Sequence, residues 1–229
     1  MADNTPINLR VKFKKVGNLK YISHLDLVRT MNKIIVRAAL PLWYTEGFNP
    51  KPKMVFAAPL STGTESLCEY MDIRLTEKMD TDLAKKLLNS NMTDEMQVIE
   101  AYYPTAKLTE LKWLSYTILL KTNNASSLLA SECDKALNSD FVVVMKKTKT
   151  TDAEVNIKPM IRSSSAVFDG ENIRISCTLS ADSQTFLNPE YIVKYLKASV
   201  GVLSSENLLS ESYSILRESA YFENMEPFN

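Results

Sequence analysis

An α+β fold made of two units with the same order of elements is what this sequence predicts, on three observations. Short runs alternate apolar and polar residues with period two, and runs of helical period lie between them. In the first half these follow one another as strand, helix, two strands, helix, strand. The second half runs through that order again without visible sequence identity to the first.

The elements follow in order. Leu9, Val11 and Phe13 alternate with Arg10, Lys12 and Lys14, the pattern of a half-buried strand. Val16-Gly17-Asn18 turns the chain. Ser23 is placed to cap a helix, with Asp26 three residues later closing a box onto it. Leu27, Val28, Met31, Ile34, Ile35 and Ala38 recur at helical spacing as far as Leu40, where Pro41 stops the helix. Pro41 to Tyr44 reads as extended, Gly47 to Lys53 as a turn-rich loop, Met54 to Leu60 as a strand and Ser61 to Ser66 as a polar loop. Met71, Ile73 and Leu75 share one side of a further strand. Asp80 caps a second helix carrying Leu83, Leu87 and Leu88, and Met96 to Tyr102 closes the first unit.

In the second half, Tyr116, Ile118 and Leu120 mark a strand, Ser126 to Asn138 a helix and Phe141 to Met145 a strand. Lys146 to Asn156 reads as a polar connector. Ile157 to Ile161 and Ala166 to Phe168 are extended, Asp169-Gly170 is a hairpin turn and Asn172 to Leu179 its return strand. Asn188 caps a helix with Pro189 at its first position, Gly201 ends it, and Tyr213 to Ser219 is the last strand. This order is the split βαβ, or ferredoxin-like, arrangement, so the expected fold is two tandem ferredoxin-like (βαββαβ) units over residues 1–104 and 105–229.

Composition narrows the function classes. The N-terminus MADNTPINLR has no apolar run behind a basic start and does not read as a secretory signal. No stretch reaches the roughly 18 apolar residues of a membrane helix. Cys68, Cys133 and Cys177 are far apart and odd in number, neither a disulfide framework nor a metal cluster, and free thiols fit a cytoplasmic location. No GxxxxGK[ST] or GxGxxG run occurs, so no cofactor or metal is expected. Glu65, Glu69 and Asp72 are scattered acids whose convergence a sequence does not show.

Charge is unevenly spread. The chain holds 27 basic and 27 acidic residues, but residues 1–55 hold ten basic residues against three acids, a balance of +7 that leaves −7 for the remainder. Such a field attracts anions, nucleic acid among them. Arg29, Lys33 and Arg37 fall at i, i+4 and i+8 along one side of the first helix. Alone they are equally a solvated face. Lys20, Lys51 and Lys53 are expected to add to them, making phosphate contacts that are sequence-blind and salt-sensitive. Aromatic rings lie between these charges; Trp43 fits a core, whereas Tyr44 and Phe48, beside Asn49 in the loop, are candidates for stacking on bases. His24, the one histidine, is the candidate catalytic residue: a neutral imidazole at a helix start can serve as a general base, although a structural role accounts for it as well.

The runs YISHLDLVRT at 21–30, RAALPL at 37–42, YTEGFNPKPK at 44–53 and EYMDI at 69–73 resemble the radical-SAM-linked, or radical-SAM-associated, proteins, a bacterial family of uncharacterised function. Weaker similarity continues through IKPMIR at 157–162 and Asn188-Pro-Glu190. The resemblance implies association with a radical SAM enzyme. Such enzymes use three closely spaced cysteines for their cluster, which this chain lacks, so its implied part is to bind or present substrate. A fainter likeness, on element order and His24, is to the tandem ferredoxin-like RNA-binding proteins and endonucleases of CRISPR systems. Their glycine-rich C-terminal loop has no counterpart here, where only Gly201 follows Val200. Three readings follow: an RNA-binding accessory to a separate radical SAM enzyme; a metal-independent RNA endonuclease using His24, with Lys20 or Lys53 stabilising phosphate charge; and a protein-interaction scaffold that binds no nucleic acid.

Overall fold

The computed structural model describes residues 5–147, 152–205 and 210–229. The fold is mixed α+β, with mostly antiparallel strands and four α-helices among the described residues. The chain divides into two compact units, Met1–Leu111 with Pro227–Asn229, and Lys112–Glu226.

In the first unit, β1 (Ile7–Lys15) lies between β3 (Thr64–Leu75) and β4 (Met96–Tyr102), and β2 (Met54–Phe56) pairs with β3. Every pairing is antiparallel. Helices α1 (His24–Arg37) and α2 (Thr81–Asn89) connect these strands. Alternation sends Leu9, Val11 and Phe13 of β1 and Met71, Ile73 and Leu75 of β3 to one face. There they pack with Leu27, Met31, Ile34 and Ile35 of α1 and Ala84 and Leu88 of α2 into one core. Each such aliphatic side chain contributes about 1.5–3 kcal/mol on burial.

On the other face the register sets Arg10 opposite Asp72. The fully buried guanidinium donates to Asp72 through Nε at 2.7 Å and Nη2 at 3.1 Å, and to the Ala106 carbonyl at 2.9 Å. Phe228 covers this pair. Its ring centroid lies 5.1 Å from the guanidinium, and its carbonyl accepts from the Tyr70 hydroxyl at 2.8 Å. Burial opposes the guanidinium's charge, but hydrogen bonding and attraction to Asp72 outweigh it and raise the Arg10 pKa.

In the second unit, β5 (Trp113–Lys121) lies between β9 (Ile173–Ser180) and β10 (Ser212–Tyr221), and β8 (Ile161–Phe168) pairs antiparallel with β9. The core joins Leu114, Ile118 and Leu120 of β5 to Ile175 and Leu179 of β9. Cys133 and Leu137 of α3 (Ser127–Leu137) and Ile192 and Leu196 of α4 (Glu190–Ser199) are buried as well. A separate ribbon, β6 (Val143–Lys147) with β7 (Asp152–Asn156), stands between α3 and β8 in the chain.

Several boundaries differ from the sequence reading. The Lys146–Asn156 segment is not a connector: its ends form the ribbon, and 148–151 lie outside the described residues. Val144 is buried while Val143 and Met145 are exposed, so β6 carries apolar residues on its open face as well as its covered one, and no apolar/polar alternation marks the ribbon. Strand β3 starts at Thr64, inside the expected polar loop, because its polar Thr64 and Ser66 are themselves buried. Strand β2 stops at Phe56, well before Leu60. Helix α1 ends at Arg37 because Ala39 takes a positive φ of 52°. Lys158–Met160 is a short 3-10 turn, not strand, and β8 runs unbroken through the serines that follow.

Candidate nucleic-acid interface

The start of α1 forms as its sequence dictates. Ser23 Oγ accepts the Asp26 N–H at 3.1 Å, the expected cap. The box does not close on the backbone: the Asp26 carboxylate takes the Ser23 hydroxyl at 2.7 Å and Arg29 Nη1 at 3.1 Å. These bonds, first that from Ser23 and then that from Arg29, hold the Asp26 carboxyl below its ordinary pKa.

With Leu27, Met31, Ile34 and Ile35 turned inward, the 3.6-residue period leaves Arg29, Lys33 and Arg37 exposed along the outer side. They are not equivalent. Arg29 shares its charge with Asp26, whereas Lys33 and Arg37 enter no ion pair among the described residues. Both side chains of the Asp26–Arg29 pair are exposed, so solvent screens it and it biases rather than removes the Arg29 charge.

The loop after α1 is a braced hairpin finger. At its root the Trp43 N–H donates to the Arg74 carbonyl at 2.9 Å and the Arg74 N–H to the Lys53 carbonyl at 3.0 Å. Between its arms, Lys53 N–H donates to Trp43 O at 3.2 Å and Thr45 N–H to Lys51 O at 2.9 Å, while Lys51 N–H donates to Thr45 Oγ1 at 3.1 Å. Tyr44 bridges to Pro52. The finger carries Lys51, Lys53 and Asn49 exposed, Tyr44 partly exposed, and Phe48 fully exposed at 112% of the reference area. Lys53 Nζ stands 5.7 Å from the centre of the half-buried Trp43 ring.

Lys20 belongs to a different element, the 3-10 turn Gly17–Tyr21. Its ammonium is over the exposed Tyr21 ring at 5.4 Å, and its carbonyl accepts the Gly63 N–H. His24 opens α1 half-buried, its ring edge-on to Phe56 with centroids 5.3 Å apart. Among the described residues its imidazole has no hydrogen bond, and Asp26 serves Ser23 and Arg29 instead. Arg74 at the root of the finger was not singled out in the sequence; it sits on a strand, and only the pairing to Lys53 brings it there. Of the scattered acids, Asp72 is taken by Arg10 and Glu65 accepts the Gly17 N–H at 2.7 Å.

Two concavities lie elsewhere. One of about 500 Å³ is bordered by Lys85, Tyr102, Tyr103 and Asn229, and one of about 420 Å³ by Glu190, Lys197, Leu203 and Tyr213. Neither includes a residue of the basic surface. No group of three or more metal-binding side chains occurs among the described residues, and no helix there is long and apolar enough to cross a membrane.

The architecture is thus that of an α+β protein whose first unit bears a cationic helix face and an aromatic-tipped finger. The chain belongs to the family described as "Uncharacterized protein conserved in bacteria (DUF2344)", whose model matches residues 8–189. That description names no activity and no partner. No curated protein matches the chain. Among solved structures it is similar to an unknown protein from Galdieria sulphuraria, at 8% identity over 93% of this chain and 99% of that one, with a TM-score of 0.26. It is also similar to a heme-bound variant of DypB from Rhodococcus jostii RHA1, at 8% identity over 96% and 93% of the two chains, with a TM-score of 0.23. Scores of this size carry no functional inference.

Proposed function

We propose that this protein is an RNA-binding accessory that holds substrate for a separate radical SAM enzyme, on two tandem ferredoxin-like units. The observation that carries the RNA reading is the exposed pair Lys33 and Arg37, ion-paired with no acid among the described residues, in the same unit as the Lys51/Lys53 finger. In a chain of zero net charge such a concentration gives a local positive field, and phosphate is the anion that a row of solvated cations suits. The strand orders support the fold reading: in each unit the first strand is flanked by the third and fourth main strands, with the β6–β7 ribbon as an insertion in the second.

The radical SAM partner rests on the resemblance carried by SHLD at 23–26 and GFNPKPK at 47–53. Cys68, Cys133 and Cys177 are all buried, so they suit packing and not a shared cluster, which would sit on the partner. An endonuclease reading centred on His24 has less support, since the imidazole packs on Phe56 and no carboxylate among the described residues bonds to it.

The test is binding of the purified chain to total cellular RNA and to matched DNA at low and moderate salt, with an Arg29→Glu/Lys33→Glu/Arg37→Glu control. Salt-sensitive RNA binding lost in the control is the expected result. Absence of binding at low salt would sink the RNA reading and direct attention to a protein partner.

A further inference from the structure

The finger tip is a strange place for a phenylalanine. Among the described residues nothing covers the Phe48 ring, and its immediate neighbours Gly47, Asn49, Pro50 and Lys51 are exposed as well. Cross-strand bonds at Trp43, Thr45, Lys51 and Lys53 and the root bonds to Arg74 nonetheless hold the finger in shape. A projection braced up to Thr45 and Lys51 holds out its bare aromatic apex and reduces the ordering cost on binding. The apex is not a membrane anchor by composition. Glu46, Asn49 and Lys51 surround the single ring, whereas insertion into lipid needs a broader apolar surface. A base matches it better: each base has a π-face, and the charges needed for its flanking phosphates stand three and five residues away at Lys51 and Lys53. Asn49 adds an amide that both donates and accepts next to the ring.

We infer that Phe48 stacks on an unpaired base, so that the RNA class this protein takes is one with single-stranded, looped or bulged nucleotides. This rests on the RNA-binding reading above. A regular duplex offers no free base face, because stacking covers both faces of each interior base, and A-form grooves do not admit the ring. The cations then supply sequence-blind grip, and Phe48 supplies discrimination between unpaired and paired RNA.

The experiment uses the full chain with an unstructured 12-nucleotide RNA and a blunt duplex containing that same strand. Affinities are measured for the native protein, Phe48→Ala, Phe48→Trp and the α1 charge reversal. The expected result is a loss of about tenfold for Phe48→Ala on the single strand, with duplex affinity unchanged. Phe48→Trp should retain affinity, and its added indole emission should be quenched by the single strand. If Phe48→Ala binds the single strand as the native protein does while the charge reversal abolishes binding, the stacking inference is overturned and the RNA reading stands. If the native protein binds neither RNA, both fall, and a pocket on a protein becomes the occupant of the Phe48 tip.

Discussion

Replacing Asp72 by asparagine keeps its shape and removes its charge, and the outcome can be worked from the geometry around Arg10. The guanidinium is fully buried, and Asp72 is the one carboxylate to which it is ion-paired among the described residues. The substitution leaves a buried cation facing a neutral amide. Breaking a buried pair from one side typically costs about 3–5 kcal/mol, a large share of the roughly 5–15 kcal/mol that keeps a domain folded. At about 4–8 °C per kcal/mol for a domain near 100 residues, the melting temperature should fall by about 12–40 °C. Glu100→Gln is the control. It removes the Lys12–Glu100 pair, which spans 3.6 Å with the carboxylate side chain 54% exposed and should be worth about 1 kcal/mol or less. Urea unfolding followed by tryptophan emission measures both. A double replacement, Arg10→Met with Asp72→Leu, should recover most of the loss, because it leaves no unpaired charge. If Asp72→Asn costs no more than Glu100→Gln, the account of the Arg10 cluster as a buried, partner-dependent pair is wrong.

Two further predictions concern a turn and the thiols. Gly17→Ala forces a left-handed backbone, φ +62°, on an L-residue and drives its Cβ into the Glu95 carboxylate, which is held by the Asn18 N–H; a loss of about 1–3 kcal/mol in urea unfolding is expected. Burial pushes the Cys133 thiol up to about 11 and the Cys177 thiol up to about 12, so neither should react appreciably with iodoacetamide at pH 8 in the folded protein, and both should react promptly in denaturant, as peptide mapping would show.

Local pattern made much of the fold legible. Leu9, Val11 and Phe13 announced β1, Ser23 and Asp80 announced the starts of α1 and α2, and Met96–Tyr102 was readable to its ends, because in each case one face is apolar and the other polar. The β6–β7 ribbon was hidden because Val143 and Met145 are apolar yet exposed, so no polar face alternates with the buried Val144. Pairings between distant residues were out of reach for a different reason. Arg10 and Asp72 are 62 positions apart, and each looks like a surface charge until register sets them side by side and Phe228 covers them. In the candidate site, helical spacing sufficed to find Arg29, Lys33 and Arg37; Asp26 is placed in sequence to orient either His24 or Arg29, and the structure gives its bond to Arg29, which separates the first cation from the other two. Glycine and proline marked 47–53 as a loop. That it is a braced finger depends on Trp43 and Lys53 both bonding Arg74, a pairing that a local pattern does not show.

The central claim, that the outer side of α1 binds phosphate, is tested most directly by the salt dependence of RNA affinity in the native protein and in a Lys33→Gln/Arg37→Gln variant. On single-stranded RNA each phosphate contact contributes about 0.7 to the slope of log affinity against log salt. Removal of two contacts should therefore flatten the slope by about 1.4, together with weaker binding at low salt. Equal slopes for the two proteins would contradict the account, since Lys33 and Arg37 would then touch no phosphate.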